Sequence, residues 1–302
     1  MATNQGFKSF VPDRQRLDPK FLYYWLRKNR PYLESLGNGA TFKEVSKAVV
    51  SRIEIDLPPL PEQQRIAAIL DKADALRAKR RAALAQLDTL TQSIFLDMFG
   101  DPSTNPRGFA STRLDELVRQ GDSINYGVVQ PGDDCEDGVP LIRVGDLRNG
   151  MVEQSALKRI SPSIEATYKR SRLRGDEILV SCVGSTGVIA LADQSVKGFN
   201  IARAVARIPL ADSTDRAFMA SYLRTDFVQR YFQSELRTVS QPTLNIKQIA
   251  ELSVVLPPSN LQREFGRRAE AVARVDDRQR ESLNQLTATF ASIQHRAFRG
   301  EL

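Results

Sequence analysis

Residues 57–65 read LPPLPEQQR, and the run that follows them to Phe99 predicts the longest element of the chain. The prolines end any extended segment before them. Pro61 stands where a helix can start, because its missing N–H would be unpaired there in any case. No proline or glycine interrupts the run until Gly100, and strong helix formers dominate it. A helix of this length extends roughly 58 Å, so we expect a spacer helix that packs against a second helix.

A repeat in the same chain predicts the partner helix. Residues 256–263 (LPPSNLQR) echo residues 57–65, and residues 218–224 (FMASYLR) echo residues 21–27 (FLYYWLR). The period of about 198 residues is too long for a solenoid, so we infer two copies of a domain, each followed by a long helix. If a pseudo-twofold axis relates the copies, the two helices pack antiparallel.

Apolar residues at alternating spacings of three and four predict the seam between the two helices. Arg80 interrupts the first stripe, and Gln279 falls opposite it when the repeats are aligned. The predicted seam residues are Ile69, Leu76, Leu87, Leu90, Ile94, Val272, Leu283, Leu286, Phe290 and Ile293.

Composition favours a protein with a polyanionic partner. The 302 residues include 43 Lys and Arg against 36 Asp and Glu, which gives a formal net charge of +7. Cys135 and Cys182 are isolated and form no metal-ligand spacing, as expected in a reducing cytoplasm. No apolar run approaches the length of a membrane span, and the N-terminus lacks a signal-peptide pattern. We therefore expect a cytoplasmic protein with no membrane partner.

The repeat also predicts the domain organisation. Residues 107–257 read as one complete mixed α+β domain, and residues 1–57 match only its last third. Long helices follow the two domains at 58–100 and 258–302. The expected fold class is α+β: one complete mixed domain, preceded by a partial copy of it, with two long helices that form an antiparallel coiled-coil spacer. The expected local elements are short strands at 53–55, 140–145, 177–183, 187–191 and 201–208, a short helix at 114–118, and helices from Asp18-Pro19 and at 213–233.

Five motifs carry a family resemblance: LPPLPEQQRIA, YGVVQPG, GVPLIRVGDL, ILVSCVGSTG and the terminal AFRGEL. They resemble the specificity subunits of type I restriction-modification systems, and the resemblance covers essentially the whole chain. It implies target-recognition domains that each read half of a split site in double-stranded DNA. It also implies long helices that dock a methyltransferase subunit and a restriction/translocase subunit. S-adenosylmethionine, ATP and Mg2+ are then expected on those partner subunits, and this chain binds no cofactor.

This chain departs from the family pattern, because the first recognition domain has no counterpart of YGVVQPG or VGSTG. One complete domain is expected to read one half-site. The second half-site then needs another copy of 107–257, supplied by a homodimer, or a separately encoded fragment that completes the first domain. A different class of function also remains: a structural coiled-coil remnant of a truncated specificity gene. Specific DNA binding at elevated salt distinguishes this class from a DNA-reading adaptor.

The candidate DNA contacts are polar residues of predicted loops, since such side chains reach phosphates and base edges. They are Asn125, Tyr126, Gln130, Arg143, Arg148, Ser185, Thr186, Lys197, Asn200, Arg203, Ser240, Gln241, Thr243 and Asn245. For the turn at 184–187, a plain hairpin and a loop close to DNA are equally good interpretations.

No catalytic constellation is predicted. Residues 29–32 (NRPY) resemble a methyltransferase motif only faintly, and the better interpretation is a helix end before Pro31. The Asp-Pro-Lys run at 18–20 is too tight to place nuclease groups around a metal, so it reads as a turn. His295, the only histidine, is expected on the surface of a helix.

Overall fold

The computed structural model describes residues 7–37, 44–238 and 242–302, and these form two compact units. The helical unit comprises residues 1–86 and 275–302, and the strand unit comprises residues 87–274. No helix among the described residues is long and apolar enough to cross a membrane. The helices are α1 Pro19–Lys28, α2 Arg30–Ser35, α3 Lys47–Val50, α4 Leu60–Phe99, α5 Pro162–Thr167, α6 Arg216–Leu223, α7 Asp226–Ser234, α8 Ile246–Ala250 and α9 Ser259–Ala297.

In the helical unit, α1 packs against the start of α4 and the end of α9. The Asp18 side chain caps α1 by accepting the backbone N–H groups of Lys20 and Phe21. An apolar core then forms around Phe21 and Leu70. Its other buried members are Tyr24, Ile66, Ala67, Phe290 and Ala297. The helix from Asp18-Pro19 is therefore confirmed, and its apolar face is what holds the two long helices together here.

The long helices run antiparallel within this unit. Near the start of α4, Arg65 donates a hydrogen bond to the backbone oxygen of Leu302, and further along Arg80 donates one to Gln279. Residue numbers therefore increase along α4 while those of the contacted residues decrease from Leu302 to Gln279. The predicted pairing of two long helices is confirmed. The structure adds that Arg80 and Gln279, which are equivalent positions of the two repeats, are in contact.

The predicted stripe on α4 is partly wrong. Leu76 and Leu90 are exposed by 46% and 42%, whereas Arg77 and Leu84 are buried. The guanidinium of Arg77 lies 4.4 Å from the ring centroid of Phe290 and pairs with Asp74. Because an arginine stem packs like an apolar side chain, Arg77 belongs to the buried stripe that the apolar count skipped. Ile69, Leu87, Ile94, Val272, Leu283, Leu286 and Ile293 are half-buried, and Phe290 is buried.

The strand at 53–55 is also absent from the structure, where these residues have irregular backbone. A strand needs a neighbour to pair its N–H and C=O groups, and no paired strand is found among the described residues of the helical unit. Residues 41 and 42, which precede it, lie outside the described residues. At 29–32 the helix-end interpretation is confirmed, since α1 ends at Lys28 and a short α2 begins at Arg30.

The strands of the strand unit are β1 Ser111–Arg113, β2 Asn125–Tyr126, β3 Val139–Ile142, β4 Leu147–Arg148, β5 Met151–Val152, β6 Lys158–Ile160, β7 Ile178–Ser181, β8 Ile189–Leu191, β9 Asn200–Ile201, β10 Val205–Ile208, β11 Arg237–Thr238, β12 Pro242–Thr243 and β13 Ser253–Val255. They form a four-stranded antiparallel sheet in the order β2-β10-β7-β8 and a three-stranded mixed sheet in the order β6-β3-β9. Three two-stranded pairs accompany them: β1 with β13, β4 with β5, and β11 with β12. The 3-10 turns are Leu114–Leu117, Val144–Asp146, Lys169–Ser171 and Gln194–Val196.

Two predicted elements divide in the structure. The strand at 201–208 becomes β9 and β10, because β9 pairs with β3 while β10 pairs with β7 in the other sheet. The helix at 213–233 becomes α6 and α7, because the Thr225 hydroxyl accepts the N–H of Val228 and starts a new helix. The aromatic core of the unit joins both long helices to α6. It consists of Phe95, Phe99, Phe218, Tyr222 and Phe265.

Candidate nucleic-acid interface

Three of the predicted contacts are used by the fold. The Asn125 amide donates to the backbone oxygen of Ser123 over 2.9 Å and also to that of Arg170. Asn200 is fully buried, and its side chain bonds Ser171, Tyr168 and the N–H of Ile201. These amides close the ends of β2 and β9. The prediction that Asn200 contacts DNA is wrong, because its side chain is fully buried, whereas Asn125 is half-buried and its contact with DNA stays a prediction.

Tyr126 is the third. Its hydroxyl donates to the backbone oxygen of Leu244 over 2.8 Å, and burial raises the pKa of the phenol to about 12. The bond links β2 to the segment that leads into α8. The bond occupies the O–H donor of Tyr126, so in this arrangement the phenol could meet a base edge only as an acceptor.

The predicted arginines of the 140–148 region are exposed but bonded locally. Arg143 lies beside Asp146, with Nε 3.2 Å from the nearer carboxylate oxygen. Arg148 donates to the backbone oxygen of Gly145 over 3.0 Å. Arg143 also donates to the backbone oxygen of Ala156 over 3.3 Å. Because a guanidinium carries five N–H donors, these bonds do not saturate either arginine.

The turn at 184–187 is built on two glycines and local hydrogen bonds. Gly184 and Gly187 have φ angles of +77° and +81°, which glycine adopts at little cost. The Ser181 hydroxyl donates to the backbone oxygen of Ser185, and the Gln229 amide donates to that of Gly187 over 3.1 Å. Ser185 is exposed and Thr186 half-buried at the tip. The turn is a hairpin connection between β7 and β8. This geometry is compatible both with a plain hairpin and with a loop close to DNA.

The late loop is described only at its flanks. Ser240 and Gln241 lie outside the described residues. Thr243 belongs to β12 and forms a bridge with Val183, and the backbone N–H of Asn245 donates to Gln248 at the start of α8.

Three predicted contacts have exposed side chains that lack a hydrogen-bond or ion-pair partner among the described residues: Gln130, Lys197 and Arg203. The structure brings Gln130 and Arg203 together. The backbone N–H of Val128 donates to Ile201 over 2.7 Å, and the N–H of Arg203 donates to Val128 over 2.8 Å. Sequence reasoning missed Val129, the chain neighbour of Gln130, which is 50% exposed. The signal that the sequence offered for Val129 is an apolar residue directly before Gln130 and Pro131.

A buried ion cluster supports this edge of the sheet. Arg207 on β10 pairs with Asp122 and, over 3.2 Å, with Glu177, and all three are almost fully buried. Burial raises the pKa of the Asp122 carboxyl, but bonds from Arg207 and the N–H of Ser123 outweigh it, so the pKa is lowered. The carboxylate therefore stays charged and fixes the segment before β2 to β10.

The strand unit also holds a cleft of about 610 Å3 between the 210–217 segment and the first turns of α9. Arg119, Arg216 and Arg263 line it together with Asp176 and Asp215. Burial lowers the pKa of the Arg216 guanidinium. Because both signs of charge line the cleft, it offers no net attraction to the phosphates of DNA.

The residues that resemble catalytic groups in the sequence form local contacts within the fold. Asp18 caps α1, and Lys20 pairs with Asp71. His295 is exposed on α9, 3.2 Å from the guanidinium of Arg299. Among the described residues, no group of three or more His, Cys, Asp or Glu side chains is placed to hold a metal ion.

Comparison with known proteins identifies the class. Residues 1–86 and 106–288 match the family described as type I restriction modification DNA specificity domain. The chain is 31% identical over 329 residues to the type I restriction enzyme EcoBI specificity subunit of Escherichia coli, covering 99% of this chain and 69% of that protein.

Two solved structures share the fold. The S subunit of the type I restriction-modification system from M. genitalium matches with a TM-score of 0.59 and 19% identity, over 95% of this chain and 74% of that one. A chain from a study of complex assembly and conformational transition of the type I R-M system matches with a TM-score of 0.54 and 22% identity, over 96% and 73%.

The class is thus a DNA specificity subunit of a type I restriction-modification system, a non-catalytic component. The chain belongs to the type I restriction modification DNA specificity domain family. The α+β fold with two long packed helices, expected from the repeat, is confirmed.

Proposed function

We propose that residues 107–257 read one half of a bipartite duplex target and that the long helices at 58–100 and 258–302 carry the partner subunits. The observation that supports DNA reading is the set of exposed side chains without partners, Gln130, Lys197 and Arg203, on loops anchored to buried strands. Amide, ammonium and guanidinium groups are those that bond phosphates and base edges.

Exposed apolar side chains support docking on the long helices. Leu76, Leu90, Leu96 and Val275 are each exposed by more than 40%, and exposed apolar surface on a helix favours contact with another protein. We propose that it binds a methyltransferase subunit and a restriction/translocase subunit. S-adenosylmethionine, ATP and Mg2+ then bind to those subunits, and the complex works in the cytoplasm, where its DNA substrate is.

The second half-site is proposed to be read by a second copy of this chain. In the given sequence, residues 107–257 read as one strand-rich domain, and residues 1–57 echo its last third. Twofold assembly presents identical domains to inverted half-sites. A separately encoded fragment that completes residues 1–57 is the competing arrangement.

Methylation mapping tests this function. Cells that express the chain with its methyltransferase partner should carry methylated adenines in one split sequence with symmetric halves. Unrelated halves would support the complementing fragment instead of the dimer. Methylation without any sequence preference would overturn DNA reading and favour a structural coiled-coil protein. In a matched assay, the isolated chain given S-adenosylmethionine should transfer no methyl group.

A further inference from the structure

We propose that Val129, Gln130 and Arg203, here called the reading triplet, determine which base pairs the strand unit accepts. The inference rests on the proposed DNA-reading function. It goes further because it separates base-reading residues from the other polar loop residues, and because it includes a valine.

The backbone of the reading triplet is fixed. Val128 accepts the N–H of Arg203 over 2.8 Å and donates its own N–H to Ile201 over 2.7 Å, which joins the two segments. Gly127 packs so closely that an added Cβ would lie 1.6 Å from the Ile201 oxygen. Pro131 restricts Gln130 to extended conformations. A side chain that reads bases needs such support, since a mobile one loses its bonds to entropy.

The side chains of the reading triplet, by contrast, are available. Val128 is buried, but Val129 is 50% exposed. The side chains of Gln130 and Arg203 are exposed, and neither makes a hydrogen bond or ion pair within the described chain. Asn125, Asn200 and Arg143 differ in this respect, because each is bonded to the protein. A rigid backbone with unbonded polar ends is the combination that direct readout requires.

The chemistry of the reading triplet defines its ligand. A glutamine amide bonds N6 and N7 of adenine, an arginine fork bonds O6 and N7 of guanine, and a valine contacts the thymine methyl group. All these groups are displayed in the major groove. The ligand class is therefore one or two adjacent base pairs of a duplex, read through the major groove.

Arg203 distinguishes base reading from phosphate contact. Arg203→Lys keeps the positive charge and loses the planar fork. If the arginine reads a base, lysine changes sequence preference. If it contacts only a phosphate, lysine retains the preference.

The experiment selects bound sequences from a library of randomised duplexes, using the full chain co-purified with its methyltransferase partner, at low and raised salt. The variants are Val129→Ala, Gln130→Ala and Arg203→Lys. Gln233→Ala and Arg230→Lys on α7 serve as matched controls, since both residues are exposed. Thermal unfolding midpoints verify that each variant folds, and Gln130→Glu provides a second substitution at the same site.

Each variant should relax or change the preference at one or two base pairs, with affinity for the parental sequence reduced roughly 10-fold or more. The controls should select the parental sequence. If the folded variants also select it, or weaken all sequences equally, the inference is wrong and the proposed function stands. If the parental complex selects no sequence, the proposed function itself fails.

Discussion

The Gln262 side chain holds Asp215 in place at the start of α6. Its Oε1 accepts the backbone N–H of Asp215 over 3.0 Å, and its Nε2 donates to the backbone oxygen of Pro257 over 2.7 Å. Gln262 is 2% exposed. One buried amide therefore ties the N-terminus of α6 to the proline-rich segment that starts α9.

The helical unit repeats this arrangement within itself. Gln63 accepts the N–H of Asp18 over 2.9 Å and donates to the backbone oxygen of Pro58 over 2.8 Å. The aromatic contacts repeat as well, with ring centroids 5.1 Å apart in both pairs: Phe21 with Phe298, and Phe218 with Phe99. The repeat in sequence is thus a repeat of local structure. In each unit a glutamine side chain links the aspartate that caps a short helix to the proline-rich segment at the start of a long helix.

Replacing Gln262 should destabilise the strand unit. Gln262→Leu preserves most of the volume but leaves the N–H of Asp215 and the oxygen of Pro257 buried without a partner. We expect a loss on the order of 2–4 kcal/mol in the free energy of unfolding, measured by urea denaturation. Gln285→Leu, at an exposed position of the same helix, is the control and should stay within about 0.5 kcal/mol. Equal effects would show that the buried amide bonds contribute nothing.

The burial pattern of α4 gives a second prediction. Leu84→Ala removes a side chain that is 8% exposed, so it should cost about 2–5 kcal/mol. Leu90→Ala, at 42% exposure, should change the free energy of unfolding of the chain alone by less than about 1 kcal/mol. The reverse order would mean that α4 presents the stripe predicted from its leucines. Urea denaturation of both variants decides between the two.

The long helices were predictable because their signals are local. Proline-rich starts, uninterrupted helix formers and the internal repeat located both. The buried stripe of α4 was harder to predict from the sequence, since a pattern of apolar residues cannot show that the Arg77 side chain packs on Phe290. The strand at 201–208 was also misjudged, because a change of sheet at Ala202 is set by strands far away in sequence.

The candidate site was predictable only in outline. Asn125, Gln130, Asn200 and Arg203 all looked like loop contacts, since sequence identifies the polar group and not what it faces. The fold uses both asparagines to close strand ends. The backbone bonds through Val128 that bring Gln130 and Arg203 together join segments about 70 residues apart, a non-local pairing that no local pattern predicts.

Alkaline pH should destabilise the strand unit through two buried acids. Burial raises the pKa of Cys182 from 9.0 to about 12 and that of Tyr126 from 10.0 to about 12. Unfolded chains lose these protons first as the pH rises. The stabilising contribution is therefore complete below pH 9 and is lost towards pH 12. Urea denaturation measured across this range should show the decline.

Cys182→Ala isolates the thiol contribution. It should flatten the alkaline decline, and Cys135→Ala, at a half-buried position, is the matched control. The slope is compared rather than the absolute stability, because alanine also leaves a small cavity at position 182. Identical slopes in all three proteins would contradict a raised pKa at Cys182.

Gly127→Ala tests whether the fixed backbone of the reading triplet matters for sequence preference. The new methyl group would meet the Ile201 oxygen, so the 127–130 segment or the 201–203 segment must shift. We expect about 1–3 kcal/mol of destabilisation and a loss of preference for the parental DNA sequence. Gly145→Ala is the control, because nothing lies within 4 Å of its added Cβ. Binding to selected and scrambled duplexes is measured at a temperature where both variants are folded. If Gly127→Ala is less stable yet discriminates the two duplexes as well as Gly145→Ala does, then the close packing at Gly127 serves the fold alone and base reading lies elsewhere in the strand unit.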